Sequence, residues 1–232
     1  WTTKGLSPLQ GQNWKLSVGS SNEEVMLVTG VIRGIQALVV VLVLHGALGG
    51  DLVVVVNGLL GFAATLLPAV LERTYGVSFS PPVVLWIAVA VLLHTVGMTG
   101  SYTAIWWWDH LTHTLSAALV ASLGYAFARA VSERPGITLP RDFLFVYVVL
   151  FTIAAGVLWE VLEFVGRLLA SRVGHQPLLI QYGLQDTVLD LLFDAVGAVI
   201  VGLLGQRWVD WADTPIRELL DRVADGRNRK TP

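Results

Sequence analysis

Residues 185–197, which read QDTVLDLLFDAVG, begin an apolar segment that continues to Gly205. On a helix, Asp186, Asp190 and Asp194 recur every four residues and form an acidic stripe along one face. The length and apolar character of the segment are typical of a membrane span. Because carboxylates are costly and rare at such depth, the stripe indicates a functional site or a specific compensating partner.

The composition favours a membrane protein. Of the 232 residues, 54% are hydrophobic and only 14% are charged, and the mean hydropathy is +0.67. Soluble domains carry about 25% charged residues. The net charge of -2 and the scattered basic residues argue against a nucleic-acid partner. Because the chain has no Cys, any chemistry must rest on His, carboxylates and hydroxyls.

Six apolar stretches are long enough to cross a bilayer core of about 30 Å, and they predict an all-α, polytopic helical bundle. The spans are expected at about 25–48, 52–71, 83–98, 110–131, 143–159 and 185–205. An interfacial arm is expected at residues 1–24, before a transmembrane domain of residues 25–205. A cytoplasmic amphipathic tail, helical in its apolar and charged pattern, is predicted at residues 206–232. The loop predicted at residues 100–108 holds three consecutive Trp residues, which suit a membrane boundary.

Charge asymmetry predicts the orientation of the spans. Most Lys and Arg residues lie at the end of the bundle that carries both termini, whereas the opposite loops carry only Arg167 and Arg172. The positive-inside rule therefore puts both termini in the cytoplasm, with the chain in the inner or plasma membrane. All 5 His residues, His175 included, and the acids of the last three spans then lie toward the outer face.

The fourth and sixth spans each begin with polar residues at helical spacing. Asp109 and His113 are four residues apart, and His110 and His113 are three apart, so ligand-capable groups can share one helix face. Taken alone, this motif fits a structural role, with Asp109 as a helix cap and the His residues hydrogen-bonded at the interface, as well as it fits a functional site. Asp186 also lies at a helix entrance, where an N-cap role is common.

The fifth span carries Glu160 and Glu163 near its outer end. Each carboxylate at depth costs roughly 2.5–3.5 kcal/mol, and like charges three residues apart repel. An ion pair between Glu163 and Arg167, four residues later, would neutralise one acid and leave Glu160 without a partner.

Four acids, Glu160, Glu163, Asp190 and Asp194, are expected to converge where few cations can neutralise them. Uncompensated, they would cost on the order of 10 kcal/mol. They can be protonated, line a water-filled pocket or bind a cation. The nearby imidazoles favour a cation, since His with carboxylate is the ligand set of zinc, iron and manganese sites. A polar pocket or proton relay and a structural hydrogen-bond network stay open as alternatives.

The last span also carries Gly197, Gly202 and Gly205. Small residues at such positions are typical of a face where membrane helices approach closely. The pattern predicts a packing role for these glycines.

Three motifs in fixed order resemble the bacterial YjdF-type inner-membrane proteins and, more distantly, the VanZ-like proteins. They are Asp-x-x-x-His from Asp109, Trp-Glu-x-x-Glu-Phe from Trp159 and Gln-Asp-Thr-x-x-Asp-x-x-x-Asp-x-x-Gly from Gln185. The resemblance covers about residues 105–205 and implies a multi-pass membrane protein of uncharacterised activity. The family's shared polar positions correspond here to Asp109, His113, Glu160, Glu163, Asp186, Asp190 and Gly197, whereas His110 and Asp194 depart from the pattern.

The leading hypothesis is a metal-dependent enzyme that acts at the outer leaflet on a lipid or lipid-linked substrate. Its expected ligands for zinc, iron or manganese are Asp109, His110, His113, Glu163, Asp186 and Asp190. Glu160 or Asp194 would act as general base on a bound water. No organic cofactor is expected. A cation- or proton-coupled transporter and a structural subunit of a membrane complex are the alternatives, and the sequence predicts no oligomeric state.

Overall fold

The computed structural model describes residues 22–77, 79–132, 139–174, 177–179 and 182–208. Within these ranges the secondary structure is helical, with no strand. The predicted interfacial arm, His175 and nearly all of the predicted amphipathic tail lie outside the described residues, so what the sequence predicts for them stays a prediction.

The described chain contains 6 helices that are long and apolar enough to cross a membrane, which confirms the predicted all-α polytopic bundle. The helices are α1 (Asn22–Gly49), α2 (Leu52–Tyr75), α3 (Pro81–Val96), a short α4 (Tyr102–Ala104), α5 (Trp108–Ser132), α6 (Arg141–Val173) and α7 (Leu184–Trp208). Large apolar side chains such as Leu44 and Leu150 are exposed on the bundle surface. Such a surface suits contact with lipid, because the helices satisfy their own backbone hydrogen bonds.

The long helices form two groups of three. Helices α1, α2 and α3 pack on one another, as do α5, α6 and α7, and the main contact between the groups joins α3 to α5. The core of the second group consists of Ala118, Ala121, Tyr125, Ala126, Val148, Ala198 and Val201. Because most of these residues are small, the three helix backbones can approach closely.

Gly197 lies where α7 comes closest to α5. A Cβ at this position would lie 2.5 Å from the carbonyl oxygen of Thr114 and 2.9 Å from the backbone nitrogen of Ala118. Gly202 and Gly205 also face neighbouring helices, where a Cβ would meet aromatic rings. The predicted packing role of these three glycines is confirmed.

The segment after α3 differs from the loop predicted at residues 100–108. Helix α3 continues into a π-helical turn, Gly97–Ser101, which is followed by α4. Gly100 has a φ of 118°, a conformation that glycine adopts without steric cost. The loop prediction is wrong for residues 101–104, which are helical after a bend at Gly100, because a bend at one glycine leaves hydropathy almost unchanged.

Gly197→Ala is expected to lower the melting temperature of the detergent-purified protein, since the added methyl group meets backbone atoms that cannot rotate away. Overpacking of this kind costs about 1–3 kcal/mol. Gly34→Ala is the matched control, because a Cβ there meets nothing within 4 Å. Equal melting temperatures for the two variants would contradict a close contact at Gly197.

Candidate functional site

Three helices bring the predicted polar motifs together at one end of the second helix group. The residues are Asp109 and His113 in α5, Glu160 and Glu163 in α6, and Asp190 and Asp194 in α7. Helices α5 and α7 begin at this end, and α6 ends there. The two glutamates and the two α7 aspartates are all buried. The acids therefore form one cluster among the helices.

His113 lies between three of these carboxylates. Its Nδ1 is 3.2 Å from Asp194 Oδ1, within hydrogen-bonding distance. Its Nε2 is 3.8 Å from Asp109 Oδ1 and 3.7 Å from Asp190 Oδ1, which is too long for a hydrogen bond. When Nδ1–H donates to Asp194, the neutral imidazole leaves Nε2 unprotonated and facing two carboxylates. An unprotonated imidazole nitrogen is a common metal ligand.

Asp109, His113 and Asp190 together have the spacing of a cation site. Each offers one ligand atom, and the three atoms lie within 4.8 Å of one another. A tetrahedral ion with bonds of about 2.1 Å holds its ligand atoms about 3.4 Å apart, close to the 3.7 and 3.8 Å from His113 to the two aspartates. Asp190 is 2% exposed, and within the described chain its Oδ1 has no hydrogen-bond partner. A bound cation would give this buried oxygen a partner. Without one, its burial costs free energy of folding.

Asp194 is buried between α5 and α6. Gly156 of α6 leaves the space for its carboxylate, because a Cβ at Gly156 would collide with Asp194 Oδ2. Metal-bound histidines usually donate their other ring N–H to such a carboxylate, which fixes the tautomer and the ring orientation. Asp194 thus has the contacts of a residue that orients His113, and its predicted role as general base stays a prediction.

Glu160 and Glu163 extend the cluster along α6. Glu160 Oε2 accepts a hydrogen bond from Thr187 Oγ1 at 2.7 Å, whereas its buried Oε1 has no hydrogen-bond partner among the described atoms. Arg167, the partner considered for Glu163, is exposed, and its guanidinium carbon lies 5.7 Å from the centre of the Phe164 ring. Within the described ranges, no Lys or Arg forms an ion pair with any acid of the cluster.

Three of the predicted ligands, His110, Glu163 and Asp186, lie outside the three-residue group. The ring of His110 stacks on Phe193, with centroids 4.2 Å apart, and meets Trp106 edge-on at 6.0 Å. Asp186 lies in the first turn of α7, where its Oδ2 accepts a hydrogen bond from the backbone N–H of Tyr182 at 3.1 Å. Asp186 therefore caps the helix from within its first turn, in place of the N-cap role considered from the sequence.

Sequence reasoning missed several residues that contribute to the cluster, among them Tyr182, Thr187 and Gly156. Burial raises the pKa of the Tyr182 phenol, and the charges of Asp109 and other nearby acids act in the same direction. The phenol therefore stays protonated beside the acids. Thr187 appears in the sequence only as a position of the third motif, and Gly156 and Tyr182 have no spacing signal of their own. Thr187 and Gly156 matter through Glu160 and Asp194, which lie on other helices.

Residues 31–211 match the protein family described as DUF2238, predicted membrane protein. The chain belongs to this family. The match begins within α1, so the first three helices belong to the DUF2238 region together with the polar motifs. The family is consistent with the YjdF-type resemblance, and the match does not show the VanZ-like similarity.

An uncharacterised protein of Thermotoga maritima is 30% identical over 119 residues, which cover 49% of this chain and 56% of the relative. This DUF2238 chain thus spans little more than half the length of that protein. No solved structure matches the chain. Neither the family description nor the relative names a reaction.

Asp186→Ala is expected to destabilise the protein by about 1 kcal/mol, because the backbone N–H of Tyr182 loses its acceptor. Asp186→Asn should retain most of the stability, since the amide oxygen can still accept this hydrogen bond. Thermal unfolding in detergent measures both variants. A large loss of stability in Asp186→Asn would contradict the capping role.

Proposed function

We propose that this DUF2238 protein is a metal-dependent hydrolase at the outer leaflet of the inner or plasma membrane, with both termini in the cytoplasm. Its substrate is a lipid or a lipid-linked molecule. The observation that carries the proposal is the setting of His113, whose Nδ1 is held by Asp194 while Nε2 faces Asp109 and Asp190. A carboxylate that orients a histidine toward further carboxylates is the usual arrangement around a catalytic metal.

Charge compensation supports a bound cation. Asp109 and Asp190 carry two negative charges when ionised, and His113 is the one basic side chain of the described chain that lies within ion-pair distance of either. A divalent ion between them neutralises both carboxylates without a buried lysine or arginine. The mixed imidazole and carboxylate ligand set suits zinc, iron and manganese.

The chemistry proposed for the site is hydrolysis. A divalent ion activates a water molecule at neutral pH and polarises a carbonyl or phosphoryl oxygen of the substrate. Glu160 is the proposed general base, because Thr187 fixes its Oε2 and leaves the buried Oε1 to accept a proton. Positioned bases of this kind contribute about 10²–10⁴-fold to a rate.

The surroundings of the site favour a lipid substrate. On α6, the buried Glu160 and Glu163 alternate with exposed apolar residues such as Val161 and Leu162, so the acids lie at a depth where the helix surface suits lipid. Trp106, which is 80% exposed, precedes α5 and suits the boundary between membrane and water. A lipid in the adjoining leaflet could therefore reach the cluster without leaving the bilayer.

Cation transport is the second candidate, and the two buried unpartnered oxygens of Glu160 and Asp190 favour it. A transport path would have to continue along the helices beyond the cluster. In that direction the space between α5, α6 and α7 is filled by the apolar core that contains Ala121, Val148 and Ala198, each 0% exposed. This packing supports a site that is closed on the side of the apolar core.

Metal binding is the first test. Wild-type protein is expected to bind stoichiometric zinc, iron or manganese in elemental analysis, and His113→Ala and Asp190→Asn should lose it. Asp194→Asn should weaken binding by about 10–100-fold, because the imidazole loses its orienting carboxylate. His45→Ala and Asp142→Asn are matched controls, since both residues are exposed and lie outside the cluster. Wild type without metal, or full metal binding in His113→Ala, would overturn the proposal.

Turnover separates an enzyme from a transporter. Metal-loaded wild type should convert at least one component of a bacterial total lipid extract, as followed by mass spectrometry. Glu160→Gln should keep its metal and lose about 100-fold or more of this rate, because the base is gone. The exposed Glu72 offers the control variant Glu72→Gln. Metal uptake into proteoliposomes by wild type, with no lipid product, would instead assign transport.

A further inference from the structure

We propose that Tyr102, positioned by His94, donates a hydrogen bond to a substrate oxygen beside the bound cation. This inference rests on the proposed function, because the oxygen is the one that the cation polarises. It adds a substrate-binding residue from the first helix group to a site built otherwise by α5, α6 and α7.

The π turn places the Tyr102 ring. Gly97 at the start of the turn lies under the ring, and any Cβ at this position would collide with the ring carbons of Tyr102. Gly100, with its φ of 118°, lets the chain bend within the turn. The two glycines therefore let Tyr102 fold back along α3.

His94 holds the phenol from the α3 side. Its Nδ1 lies 2.8 Å from the Tyr102 hydroxyl oxygen, and the two rings meet edge-on with centroids 5.9 Å apart. A hydroxyl has one donor and two acceptor sites. When His94 Nδ1–H donates to the phenol oxygen, the phenol proton is left for another acceptor.

The Tyr102 hydroxyl also lies near α5. Thr112, a buried residue of α5, is a side-chain neighbour of Tyr102, and Asp109 and Glu163 are close enough for their charges to act on the phenol. The Thr112 hydroxyl donates its own proton to the backbone carbonyl of Asp109 at 2.8 Å. The phenol therefore lies beside the part of α5 that carries the proposed ligands. With His94 as donor to the phenol oxygen, the phenol proton can serve a substrate oxygen there.

A second contact keeps α3 in register with α5. The indole N–H of Trp108 donates to the backbone carbonyl of Leu93 at 3.1 Å, one residue before His94. Trp108 is also the first residue of α5 and immediately precedes Asp109. Helix α3, which carries His94, and helix α5, which carries Asp109 and His113, are thus joined by a direct hydrogen bond.

Cobalt(II)-loaded protein provides a test that needs no known substrate. Acetohydroxamate, a small oxygen ligand, is titrated into full-length protein and its dissociation constant is read from the visible cobalt bands. Tyr102→Phe should weaken acetohydroxamate about tenfold, the effect of losing one hydrogen bond to a charged ligand, while cobalt affinity stays unchanged. Tyr147→Phe is the control, because this tyrosine stacks against Phe143 and Phe151 on α6.

The His94 variants test the positioning role. His94→Leu should weaken acetohydroxamate binding by several fold, and His94→Asn should restore much of it, since its amide can replace the Nδ1 contact. If Tyr102→Phe binds the probe as tightly as Tyr147→Phe, the inference fails and the metal site stands. If Tyr102→Phe loses cobalt itself, Tyr102 is structural and the inference also fails. If wild type binds no cobalt, the proposed function fails and the inference with it.

Discussion

The hydrogen bond between His113 and Asp194 is the contact on which the site depends, because it joins α5 to α7 and fixes the direction of the imidazole. It requires close helix packing on two sides. Gly197 lets the backbones of α5 and α7 approach, and Gly156 of α6 makes room for the Asp194 carboxylate. Larger residues at either glycine would separate the pair. The small residues that allow the helices to pack closely are therefore also the residues that allow the His113–Asp194 hydrogen bond to form.

Hydropathy was sufficient to predict the fold, since a chain in lipid must satisfy its backbone groups within helices. The order of the spans then placed three polar motifs at one end, and the structure brings them together. Sequence spacing could not assign partners within the cluster. His110 and His113 are only about 60° apart around a helix, yet one stacks on Phe193 and the other faces the acids. That difference is decided by the rotation of α5 against α7.

The same limit explains Arg167 and Tyr102. Spacing allowed an ion pair from Glu163 to Arg167, but Glu163 faces the buried interior while Arg167 is exposed beside Phe164. Tyr102 approaches the cluster only because a π turn redirects the chain after α3. A bend at one glycine changes neither the hydrophobicity of a span nor its length enough to be read from sequence. Side-chain direction at such positions is a tertiary property.

The first three helices gain a role from this arrangement that hydrophobicity alone does not suggest. Helix α3 contributes His94, which holds Tyr102 of the neighbouring α4. Asn57 of α2 donates a hydrogen bond to the carbonyl of Leu178 at 2.7 Å, close to where α7 begins. The DUF2238 match covers both helix groups, in keeping with one functional unit. The proposed hydrolase needs an ion to polarise its substrate and a donor to hold the same oxygen, and in the proposal the two helix groups supply these parts. An ion path has no such requirement for a neutral donor beside the acids, which is a further reason to favour catalysis over transport.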